Sequence, residues 1–176
     1  MPATASGLAF ATTPLEGVNL TITYTVNNQT PEFPGPPFSL GQVVQGVDNS
    51  EYVFVKFAAA YPVGTVGFMD ANWNFTALTS ANAAAVSGQL VGVMSQVNSL
   101  GGDFGFVQTA GLSPAILTAA STPANTALFT SATAGQLTST AAANVAIDGI
   151  ILTTANGASA GVAPGLLNQP QVLLPS

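Results

Sequence analysis

Seven carboxylates and one ammonium are the only charged side chains in this sequence: Glu16, Glu32, Asp48, Glu51, Asp70, Asp103, Asp148 and Lys56. Histidine and cysteine are absent. Serine and threonine hydroxyls are plentiful, but no imidazole exists to take their protons. A serine–lysine pair would have to use Lys56. That residue ends the alternating run "EYVFVKF" and reads as a solvated strand residue, paired with Glu51 or another acid. Two carboxylates would suffice for glycoside hydrolysis. Here the acids are scattered, and the single tryptophan, Trp73 near Asp70, offers little to stack a sugar on. Without cysteine there are no disulfides, no thiol chemistry and no soft-metal sites. Without histidine the commonest metal ligand is missing. The expectation is a protein that is not an enzyme and uses no cofactor and no metal.

Two short stretches imitate functional loops. "DANWNF", Asp70–Phe75, opens like a calcium loop, D-x-N-x-N, but Phe75 stands where the turn glycine belongs and Ala81 where the bidentate glutamate belongs. It reads as a hairpin turn, a conformation that Asp and Asn accept readily. Gly101-Gly102 precede Asp103, yet no lysine or helix follows to make a phosphate loop. A turn before a strand is expected there.

Charged residues make up 5% of the 176, against roughly 25% in a typical soluble domain. The polar role falls to Ser, Thr, Asn and Gln. One base cannot neutralise phosphates, so nucleic acid is not an expected partner. Binding to an anionic membrane is excluded on the same ground. The start, "MPATASGLAFATT", has no basic region and does not read as a secretory leader. The most apolar stretch, "FAAAYPVGTVGFM", is interrupted by Pro62, Gly64 and Gly67, so no spanning helix is expected.

Two regions emerge along the chain. Residues 1–38 form an extended arm with a Pro-rich spacer. In "GVNLTITYTVNN", Val18, Leu20, Ile22, Tyr24 and Val26 alternate with polar residues, which is the period of a half-buried strand. Pro31, Pro34, Pro36 and Pro37 then impose a stiff connector. Two readings stand for the strand: the first strand of the main sheet, or an arm that pairs with a neighbouring subunit or partner by strand addition. Phe33 and Phe38 bracket the spacer and either anchor in a partner's pocket or tuck onto the host domain. Leu20, Ile22, Tyr24, Phe33 and Phe38 are therefore the candidate partner-binding residues.

Residues 39–176 form the main domain. Short apolar runs recur with turn signals roughly every ten residues, the pattern of an all-β barrel or sandwich. They are "GQVVQG", "EYVFVKF", "TVGFMD", "WNFTAL", "QLVGVMSQV", "GGDFGFVQTAG", "TALFTS", "GQLTST" and "DGIILTT". Asn156-Gly157 predicts a tight hairpin into "NGASAGVA". "QVLLP" is expected to close the chain as an edge strand. Ala-rich "ALTSANAAAVSGQL" and "STAAANVAI" are expected to form no more than short helical turns, the first ended by Gly88.

"PANTALFTSATAGQLT" and the following "IDGIILTTANGASAGVAPGLL" resemble the C-terminal half of head-decoration, or cement, proteins of tailed bacteriophages. In that group a strand of the type "ALYTTATAGxLT" precedes a "GIxLTTA-NG-xSA" hairpin. "LGQVVQGVDNSEYVFVKFAAAYPVGTVGFMD" is similar to the group's opening strands. "LVGVMSQVNSLGGDFGFVQTAG" is similar to its middle, with Phe104 and Phe106 where other aromatics often stand. The resemblance spans about Leu40 to Pro164 and carries no catalytic signature. It implies a β-rich structural protein on the outer surface of an icosahedral capsid, assembled in the host cytoplasm. Its partner would be the major capsid protein. It would bridge capsomers as a homo-oligomer, with a trimer favoured, and hold the shell against DNA pressure. The low charge also predicts that the free chain self-associates, since its edge strands lack lysine gatekeepers. A tail or fibre-type virion module that binds a host receptor or glycan is the competing expectation.

Overall fold

The computed structural model describes residues 19–20, 22–25, 36, 38–46, 48–94, 99–141 and 144–173. Phe33 and the proline spacer, apart from Pro36, lie outside the described residues. The chain is nearly all β and contains a closed five-stranded barrel. Its strands are β1 (Val43–Gln45), β2 (Glu51–Phe57), β3 (Val66–Met69), β4 (Asn74–Ala77), β5 (Val91–Val93), β6 (Phe104–Thr118), β7 (Leu128–Thr130), β8 (Leu137–Thr138), β9 (Ala146–Leu152) and β10 (Gly161–Val172). One helical turn, α1 (Ser80–Ala83), interrupts them. Thr79 caps it in a reciprocal box with Asn82, and a 3-10 turn over Ala84–Val86 runs on to Gly88 at φ 78°.

The barrel is the ring β2-β4-β3-β5-β6, closed by antiparallel pairing of β6 with β2. Val53, Val55, Phe57, Met69, Phe75, Met94 and Val107 fill it. Gly67 and Gly92 face each other across β3 and β5. A Cβ on Gly67 would lie 2.6 Å from the Phe75 ring, so the missing side chain is what admits that ring. A second ring of pairings leaves β6 through β10, β9 and β7 to β8. It returns to β6 at one parallel pair, Thr118↔Leu137. Leu128, Leu137, Ile147, Ile150, Leu152, Ala163 and Leu167 belong to its core, together with Ile116 from β6. The fifteen-residue β6 thus serves both cores: Val107 enters one, Ile116 the other.

The change of core along β6 is built locally. Gln108 is fully buried, and its Nε2 donates to the carbonyls of Ala110 and Leu112 at 3.1 Å each, with Ser50 Oγ at 3.2 Å. Between those carbonyls Gly111 sits at φ 90°, a conformation that favours glycine. Its Cα packs so closely on Ser50 that a Cβ would collide.

Two expectations are corrected. "QVLLP" is not an edge strand. Its first residues end β10, a twelve-residue strand bonded to β6 on one side and β9 on the other. Pro164 and Pro170 fall within the two register shifts of β10, where a missing N–H is tolerated. Asn156-Gly157 is not a two-residue hairpin either. Residues 153–160 separate β9 from β10, and neither Asn156 nor Gly157 adopts the positive φ that a type I′ turn needs. The Asn156 carboxamide instead donates to the carbonyls of Ala119 (2.9 Å) and Ser159 (3.1 Å), fastening this loop to the end of β6.

Candidate functional site

The acids with described side chains are mostly engaged in holding backbone. Asp70 Oδ1 accepts from the N–H groups of Asn72 (2.8 Å) and Asn74 (2.9 Å), and Oδ2 accepts from Asn74 Nδ2 (2.8 Å). Trp73 completes this turn at φ 60°. The calcium-like motif is thus an Asx turn whose carboxylate is occupied by its own loop. Burial alone would raise the Asp70 pKa; the hydrogen bonds from the Asn74 side chain, the Asn74 backbone and the Asn72 backbone together bring it below the usual 3.8. Asp48 accepts from Ser50 N at 3.1 Å, and Asp103, itself buried, from Leu100 N at 3.1 Å. Glu51 takes Thr109 Oγ1 at 2.9 Å, Gln45 Nε2 at 3.3 Å and Gln169 Nε2 at 3.4 Å, which ties β1, β2, β6 and β10 together. Lys56 stands 6.0 Å over the ring of Phe104. Among the described residues, no three His, Cys, Asp or Glu side chains gather in a metal-binding group.

The partner-binding candidates on the arm are placed as follows. Leu20, Tyr24 and Phe38 pack with Phe54, Phe104 and Phe106 in one cluster on the outer face of β2 and β6. Phe54 is its hub, with ring centroids 5.0 Å from Phe106, 5.2 Å from Phe38 and 6.0 Å from Tyr24. Tyr24 also exchanges two backbone hydrogen bonds of 2.8 Å with Phe104, so this piece of the arm pairs with β6 of its own chain. Burial raises the Tyr24 phenol pKa. Ile22 lies between these anchors and is 41% exposed.

Large exposed aliphatics mark a different surface, one that sequence reasoning did not single out. Leu166 of β10 pairs directly with Leu112 of β6, and both are at least half exposed. Val162, exposed to 49%, lies further along β10 opposite Leu117. Exposed Pro114 sits at the intervening bulge. These residues form an uncharged strip on the outer face of β6 and β10. Beside it, a groove of about 520 Å3 opens over β9, the end of β10 and the segment leading into β7. The signal for the strip was present in "GVAPGLLNQP", where apolar residues occupy both phases of a strand; here only one phase is covered, and Val162 and Leu166 face outward on the other.

No protein-family model matches the chain, and no curated protein matches it.

Proposed function

We propose that this chain is a structural decoration protein of a phage capsid. It binds the outer surface of the shell and bridges capsomers without catalysing a reaction. The observation that carries this reading is the uncharged aliphatic strip Leu112–Val162–Leu166 on the paired strands β6 and β10. A strip of this kind docks on a neutral partner without the cost of desolvating ions. Support also comes from the resemblance over Leu40–Pro164 and from the engagement of Asp48, Glu51, Asp70 and Asp103 in turns and strand ties. The strip is far smaller than the roughly 800 Å2 per partner of a standard interface. One copy therefore binds weakly, and a trimer that presents three strips converts the second and third contacts into intramolecular ones.

The test is co-sedimentation of purified protein with undecorated shells of its source phage. Saturable binding at an icosahedral multiple, with decorated shells surviving higher temperature than bare ones, is the expected result. Absence of binding to shells, with binding to host cells, would replace this reading by that of a tail or fibre module.

A further inference from the structure

The groove beside the strip has a chemistry of its own. Exposed Ile151, Leu166 and Leu173 line it with aliphatic surface, above the buried Leu128 and Ile147. Its polar lining includes the side chains of Asn125, Asp148 and Asn168, and none of the three is engaged in a hydrogen bond within the described protein. They come from separate stretches of sequence, joined by the β7–β9 and β9–β10 pairings.

The backbone around them is unusual. Asn125 and Gln169 hold φ of 55° and 45°, and Gly149 holds 76°. β10 shifts register against β9 between Leu167 and Gln171. A Cβ on Gly149 would lie 2.7 Å from the Asn168 carbonyl oxygen, so a glycine is required for this close approach beside Asp148. Bulges of this kind re-aim side chains, and left-handed non-glycine residues gather where a ligand is held.

We propose that this groove binds a neutral, hydroxyl-rich ligand, a saccharide. One carboxylate and two carboxamides offer acceptors and donors together, the combination that neighbouring hydroxyls require. Among the described residues no cation lines the groove, so an anionic ligand has no counterpart there. A cationic ligand would find a single exposed carboxylate, an attraction of little worth in water. The aliphatic walls accept the C–H faces of a sugar ring. The described lining has no aromatic platform, and the affinity expected of one site is roughly millimolar. The groove shares Leu166 with the strip, but its three polar side chains are not part of it, so neither virion reading is required for this site.

The test is nuclear magnetic resonance titration of the isotope-labelled full chain with methyl glucoside, methyl galactoside, methyl mannoside and N-acetylglucosamine. Methylammonium and sulfate serve as ionic probes. At least one sugar is expected to give saturable shifts at the amides of Asn125, Asp148, Gly149 and Asn168. Asp148→Ala and Asn168→Ala should each weaken that binding roughly tenfold, the worth of one hydrogen bond to a charged or polar group. Both residues are exposed, so the rest of the spectrum should remain native. Shifts from methylammonium alone, no saturable shift with any sugar, or sugar binding that survives both variants would overturn the proposal.

Discussion

At the scale of the residue, Asp70, Gln108 and Asn156 engage their polar groups with the protein's own backbone. Asp70 shows this with a consequence in pH. Its folded pKa is lowered, so its contribution is fully present above the unfolded value near 3.8. The contribution is lost as pH falls through the lower folded value. Asp70→Ala should therefore be less stable than the parent at neutral pH, and the gap should close in acid below 3.8, as read by thermal unfolding across pH. A gap that stays constant into strong acid would mean that the turn does not depend on the ionised carboxylate. Gln108 is the neutral counterpart. Its Nε2 serves the carbonyls on both sides of Gly111, and Gln108→Leu removes that donor from both. The expected loss is about 1–3 kcal/mol in urea unfolding. An unchanged midpoint would show that the bend in β6 is held by its packing alone.

At the scale of the element, strand positions were legible where alternation or turn residues were strong. "EYVFVKF" became β2 and "GGDFGFVQTAG" the start of β6. Burial of both faces of β2 was not legible. Phe54 and Val55 are each fully buried, because the Tyr24–Phe38 cluster covers one face and the barrel encloses the other. The full length of β10 was hidden by Pro164 and Pro170, which argue against a central strand until the register shifts that accommodate them are known. Asn156-Gly157 misled for a related reason: the dipeptide signals a local turn, but its side chain is committed to a distant strand end. Asn156→Ala should cost about 1–2 kcal/mol of stability, and Asn156→Asp more, since a carboxylate would then face the carbonyls of Ala119 and Ser159. Equal stability of the two variants in thermal unfolding would contradict the latch. The groove could not be read from sequence at all, because Asn125, Asp148 and Asn168 meet only through strand pairing.

At the scale of the whole molecule, a net charge of -6 comes from isolated acids on a surface otherwise built from hydroxyls, amides and aliphatics. Such a surface gives little electrostatic steering, and its contacts respond weakly to salt. On the proposed reading, the exposed strip holds a large neutral partner by area and repetition. The most direct measurement is a binding isotherm of the protein on undecorated shells, at low and at high salt, for the parent and for Leu112→Asn/Leu166→Asn. Each exposed leucine contributes about 1 kcal/mol on burial, so the double variant should bind roughly thirtyfold more weakly. Its own unfolding should shift little, because both sites are on the surface. The parent's affinity should be nearly the same at both salt concentrations. Parent binding that collapses in high salt, or a double variant that binds as well as the parent, would contradict the account.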